Sequence, residues 1–110
     1  MTSTLAVDFI EIDTAAHALA ATGRRVIANA RPFLPPGAYV LGTTLEEDGR
    51  LAVRIQARWG VQVEFTLYRD QVWARVYDAS GLGPARLLAT HHHPTLLLAA
   101  QAATDSLPPA

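Results

Sequence analysis

The 110-residue sequence contains no cysteine and no lysine. Without cysteine there are no disulfides, no thiolate metal ligands and no cysteine nucleophile. A reducing cytoplasm is then the default compartment. Without lysine there is no Schiff-base chemistry and no lysine-dependent phosphate loop. All nine basic residues are arginines, and ten acidic residues leave a formal net charge of −1. A dedicated nucleic-acid binder shows a basic excess, so the charge weighs against that class. Long apolar runs are also missing. The longest, Leu96 to Ala100, is far too short for a bilayer span, and no basic-then-apolar leader opens the chain. No membrane association is expected.

What the chain does have is apolar residues in ordered periods. Half of its residues are hydrophobic, which excludes a disordered polymer, and the length fits one domain over 1–110. Arginine, alanine and leucine without lysine are the mark of a GC-rich, bacterial type of genome. Asp13 or Thr14 is suited to cap a helix in which Ile12, Ala16, Leu19, Gly23, Val26 and Ala30 form one face. Arg24, Arg25 and Arg31 crowd its C-terminal end, and Pro32 closes it. Residues 3–12 fit either an extension of that helix or a strand, with helix slightly favoured.

From Ala38 to Tyr77 the period changes to two. Tyr39, Leu41 and Leu45, then Leu51, Val53, Ile55 and Ala57, then Val63, Phe65 and Leu67, then Val72, Ala74 and Val76 form the apolar set. The alternating residues are mostly polar, as in half-buried antiparallel strands. Three short loops set a register. Glu47-Asp48-Gly49 forms a three-residue loop with a left-handed glycine and pairs Leu45 with Leu51 and Leu41 with Ile55. Trp59-Gly60-Val61 pairs Ile55 with Phe65 and Arg58 with Gln62. Arg69-Asp70 pairs Leu67 with Val72 and sets Glu64 opposite Arg75. Residues 85–90 add a fifth strand, Pro94 occupies a first helical turn, and Thr95 to Leu107 reads as a closing helix. The expected fold is α+β: a four- to five-stranded antiparallel β-meander with an N-terminal and a C-terminal helix on one face, in two layers.

The chemically suggestive strings are weak. His91-His92-His93 supplies two ligands at most on one side of an extended chain, short of a zinc set, and reads better as a loop before the helix. Asp78-Ala79-Ser80-Gly81-Leu82-Gly83 matches neither a nucleophile elbow nor a dinucleotide loop. Glu46-Glu47-Asp48 lacks the spacing of a calcium loop. No metal and no cofactor is called for. An enzyme is disfavoured, because Tyr39 and Asp78, the nearest candidate groups, have no visible partner.

The polar sheet face carries more. In the expected register its rows are Arg54, Thr66 and Trp73; Gln56, Glu64 and Arg75; and Arg58, Gln62 and Tyr77. Arginine and aromatic residues favour interfaces and also stacking platforms for single-stranded nucleic acid. Leu98 adds an apolar residue to the otherwise polar side of the last helix. Arg54, Arg58, Trp73, Arg75, Tyr77 and Leu98 are therefore the binding candidates. The element order is similar to that of small bacterial adaptor, chaperone-like and immunity proteins, an analogy of fold alone. The expected function is a non-catalytic protein–protein interaction module, homodimeric, with a second copy or another protein as its partner. Single-strand nucleic-acid binding and a small-molecule or enzymatic cavity between helices and sheet are the alternatives.

Overall fold

A computed structural model of the chain describes residues 3–109, and side chains from residue 17 to 109. Helix α1 spans Ser3–Ala30, strands β1 to β5 span Tyr39–Leu45, Leu51–Arg58, Val61–Tyr68, Gln71–Asp78 and Arg86–His93, and helix α2 spans Leu96–Asp105. The sheet order is β1-β2-β3-β4-β5 and every pairing is antiparallel. Both helices pack against the sheet, α1 over β1 and β2 and α2 over β3 to β5. This is the α+β meander that the change of period predicts.

The helical reading of residues 3–12 is the correct one. Helix α1 passes straight through Asp13 and Thr14, so neither caps it. Of the predicted face, Ile12 and Ala16 lie outside the residues whose side chains are described. Leu19 is half-buried, and Gly23, Val26 and Ala30 are buried. At Gly23 the helix lies close against β1. A Cβ there would run into the Thr43 hydroxyl. None of the three arginines lies in the last turn of α1. A 3-10 turn over Arg31–Phe33 follows, and Arg31 donates across the loop to the Ala38 carbonyl at 2.8 Å.

The centre of the sheet is a ladder of buried apolar residues. Val53, Phe65 and Ala74 lie in one row, and Ile55, Val63 and Val76 in the next. All six are fully buried under the helices. Helix α2 meets them with Ala99, Ala100 and Ala103, residues small enough for its axis to sit close to the strands. Thr95 caps α2 by accepting a hydrogen bond from the Leu98 N–H at 3.2 Å. Pro94 therefore stands before the cap and not in the first turn.

Two of the three predicted loops hold as read, although the first hairpin keeps only its Leu45–Leu51 pair and not Leu41–Ile55. Gly49 has φ of 92°, Glu46 and Arg50 close the loop, and Leu45 faces Leu51. Arg69 takes φ of 56°, the non-glycine exception in the described chain, and Leu67–Val72 and Glu64–Arg75 are direct partners. The β2–β3 hairpin differs. Its loop is only Trp59-Gly60, with Gly60 at φ of 75°, and Ala57 is a bulge. Phe65 therefore pairs with Val53 and Ile55 with Val63, a shift of two residues that leaves the faces intact. Arg58 now faces Val61, not Gln62.

Further bulges occur between Val40 and Gly42 in β1 and between Leu87 and Ala89 in β5. The first reverses β1. Val40, not Leu41, faces Ile55, while Tyr39 pairs with Gln56 in an outer row. Tyr39 and Leu41 are 56% and 45% exposed, so they are not core residues. Strand β5 is longer than predicted and takes in all three histidines.

Phe65 is the largest fully buried side chain of the ladder. Phe65→Ala is expected to destabilise the fold by about 3–5 kcal/mol, read as a lower urea midpoint with an unchanged slope.

Candidate functional site: the outer sheet face

With both helices on one side, the other face of the sheet is left without a protein layer. Its observed rows run Tyr39–Gln56–Gln62–Tyr77–Leu87, then Gly42–Arg54–Glu64–Arg75–Thr90, then Thr44–Ala52–Thr66–Trp73–His92. Relative to the expected rows, β2 has slid by two residues against β3.

The slide brings the charges together. Glu64 sits between two arginines. It accepts from Arg54 Nη2 at 2.9 Å and lies 4.0 Å from Arg75 Nη1. Arg75 also donates to the Thr66 hydroxyl at 3.3 Å. The Arg54 guanidinium lies 5.1 Å from the centre of the Tyr77 ring, within cation–π range. Trp73 stacks on His92 with ring centres 4.7 Å apart and planes within 8°. Arg54, Trp73, Arg75 and Tyr77 thus form one connected surface.

Two candidates stand apart from it. The bulge at Ala57 puts Arg58 in register with buried Val61, and its guanidinium donates to the Pro108 carbonyl near the C-terminus. It does not belong to the outer row assigned to it by the sequence alternation. Leu98 is 46% exposed on α2, beside exposed Leu97, and α2 lies on the opposite face of the sheet.

Relief matters as much as chemistry. Trp73 and His92 form a stacked pair on the β4–β5 half, with Trp73 half-buried and His92 exposed. On the β1–β2 half, Gly42, Thr44 and Ala52 leave a depression of about 320 Å³, rimmed by Leu41, Arg54 and Glu64. A Cβ on Gly42 would meet nothing within 4 Å. The depression escapes sequence reasoning because it depends on the β1 bulge. Its only signal is two small residues, Gly42 and Ala52, in strands otherwise rich in large ones.

The histidine string divides between the faces, because successive strand residues alternate. His92 is outside on Trp73, while His91 and His93 pair with inner-row Ala74 and Val72, their ring centres 6.4 Å apart. His91 Nε2 and the Ser106 hydroxyl lie 2.5 Å apart, and Ser106 donates to the Ala102 carbonyl at 3.0 Å. With that hydroxyl proton given to Ala102, the contact is satisfied by the tautomer in which His91 Nε2 donates to Ser106. No group of three or more histidine, aspartate or glutamate side chains suited to a metal occurs among the described residues. The string is a strand segment and not the loop expected from sequence.

Asp78 and Ser80 are the other polar pair. The Ser80 hydroxyl and backbone N–H both donate to the Asp78 carboxylate, at 2.6 and 2.9 Å. These bonds, with the Arg86 charge beside them, hold the Asp78 pKa below the usual carboxylate range. A hydroxyl bound to a carboxylate with a lowered pKa is a turn-stabilising contact and a poor nucleophile–base pair. Asp78 pairs with Arg86 while His91 pairs with Ala74, four residues along β4, so His91 does not join it.

No protein-family model matches the chain, and no curated protein or solved structure shows significant similarity to it. No helix among the described residues is long and apolar enough to cross a membrane.

Two outcomes are expected. Glu64→Ala leaves Arg54 and Arg75 facing each other without their shared anion and costs about 1 kcal/mol, modest because all three side chains are partly solvated; urea unfolding measures it. Treatment with a zinc chelator leaves the melting temperature unchanged, since a structural metal would contribute folding free energy directly.

Proposed function

We propose that the protein is a non-catalytic protein–protein interaction module that pairs with a second copy of itself through the outer face of its sheet. The observation that carries this reading is the placement of the stacked Trp73–His92 pair and the Gly42–Ala52 depression on the same face. They lie in the same row, on opposite sides of the central strand β3. A two-fold axis along β3 turns one sheet over onto the other and sets β4–β5 of each copy above β1–β2 of its partner. Each Trp73–His92 pair then enters the partner's depression. Buried aromatic anchors in pockets are what dominate interface energies.

Exposed Tyr39, Leu41 and Leu87 add apolar area around that contact. The bulges in both edge strands interrupt the regular ladder that edge-to-edge pairing needs. Face packing therefore suits this sheet better than strand addition.

The same geometry weakens the nucleic-acid reading. Arg54 and Arg75 are already engaged by Glu64, and one face of Trp73 is already covered by His92. Little free cation or open ring is left for phosphates and bases. A ligand cavity under α2 is also disfavoured, because Ala99, Ala100 and Ala103 fill that interface with no exposure; between α1 and β1 an open groove of about 350 Å³ remains, lined by Leu19, Ala20, Arg24, Val40, Gly42 and Thr43.

Sedimentation velocity tests the reading. Trp73→Ala is expected to weaken self-association about tenfold or more, the effect of losing a central anchor. Ala52→Phe fills the depression from a half-buried outer position and is expected to abolish pairing without lowering the melting temperature. Salt separates the two main readings. The two-fold contact brings together two copies of a row with two arginines and one glutamate, so screening tightens the dimer, whereas nucleic-acid binding falls with salt. A monomer at all salt concentrations, or dimers indifferent to both substitutions, refutes the proposal.

A further inference from the structure

At the end of the sheet away from the Glu46–Arg50 loop, the outer face continues into a groove of about 540 Å³. Its lining includes Pro36, Gly37, Tyr39, Gln56, Trp59 and Gln62. Tyr39, Gln56 and Gln62 belong to the first outer row, so the groove extends the face already described. Trp59 stands at the tip of the β2–β3 hairpin and is 82% exposed. The β4–β5 connection, residues 79–85, leaves the sheet at the same end, where the Ala79 N–H donates to the Gly60 carbonyl at 2.8 Å. Its Leu82 is fully exposed. A Cβ on Gly81 or Gly83 would meet nothing within 4 Å, so the Gly81-Leu82-Gly83 tip stands clear of its own chain.

The groove and the leucine tip lie on opposite sides of β3, and the two-fold arrangement brings them together. An axis along β3 exchanges the two halves of the sheet without exchanging its ends. In the first outer row, Leu87 at the β5 end then comes over Tyr39 of the partner at the β1 end. Leu82 lies beyond Leu87 as the groove lies beyond Tyr39. The β4–β5 connection of one copy therefore comes over the start of β1 and the Trp59 tip of the other. Residues 79–85 carry no charge, so they enter without burying an unpaired ion. Taking Leu82 out of water against Tyr39 and Trp59 is favourable.

We propose that the groove between Tyr39 and Trp59 receives the Leu82 tip of a second copy, a second socket of the same two-fold contact. The inference rests on the outer-face dimer and names a segment that the dimer reading alone does not require. Each copy gives one tip and takes one, so the contact closes on itself.

Sedimentation velocity and cysteine cross-linking of the full chain test it together, since the chain has no cysteine of its own. Leu82→Asp is expected to weaken self-association about tenfold or more, because it places a carboxylate in the socket without a partner. Trp59→Ala is expected to weaken it as well. Both residues are exposed enough for the melting temperature to stay unchanged. Leu82→Cys chains mixed with Pro36→Cys chains are expected to form a disulfide-linked heterodimer on mild oxidation, and to lose it when Ala52→Phe is added to both. A dimer that responds to Trp73→Ala but is indifferent to either Leu82→Asp or Trp59→Ala overturns the inference and leaves the outer-face contact standing. So does a dimer with no cross-link between positions 82 and 36. A monomer throughout overturns both.

Discussion

Everything in this structure hangs on the alternation of the three central strands. Val53, Phe65 and Ala74 in one row, and Ile55, Val63 and Val76 in the next, place six apolar side chains on one face with no exposure. A shift of one residue in any of the three strands would carry its apolar set to water and bury an arginine or a glutamate in its place. Burying an unpaired charge costs far more than any loop conformation recovers. The hairpins therefore adapt to the ladder. Arg69 accepts φ of 56°, where tight hairpins prefer glycine or asparagine, because Leu67 must meet Val72.

The same hierarchy explains which parts were legible in the sequence. Element order, the helical and strand periods, Gly49, and the Glu64–Arg75 pair follow from local chemistry and from keeping faces apart. The slide of β2 by two residues does not, because an even shift keeps every apolar residue inside and periodicity cannot detect it. Bulges are the other blind spot. One extra residue at Leu41 turns Tyr39 outward, and one at Ala57 turns Arg58 into register with Val61. An alternation read straight through those positions assigns both residues to the wrong face.

The histidine string and the site share one cause for what was missed. A strand's length is set by its partner, and β4 offers Val72, Trp73 and Ala74 for pairing beyond the point where the β5 sequence ceases to look like a strand. His91 to His93 fill those places, and pairing then decides their roles. His92 reinforces Trp73 outside, while His91 anchors α2 through Ser106 inside. Arg54, Trp73, Arg75 and Tyr77 were visible as binding candidates by type alone. The depression at Gly42 and Ala52 and the exposure of Trp59 needed the bulges and loop lengths in place.

The bulges also give the surfaces their separate characters. Those at Leu41 and near Leu88 break the regular ladder of the two edge strands, the kind of irregularity that works against edge-to-edge pairing. The one at Leu41 also turns that leucine onto the rim of the outer depression. The bulge at Ala57 shortens the β2–β3 loop to Trp59-Gly60 and frees Arg58 to reach Pro108. That arrangement leaves Trp59 at a rigid tip instead of folded onto the sheet. Gly60 keeps the tip tight, since its φ is 75° and a Cβ would meet the Ser80 side chain at 2.9 Å. Three single-residue irregularities thus convert a regular meander, which would present a flat wet face and two pairing edges, into one with a socketed face and an aromatic end.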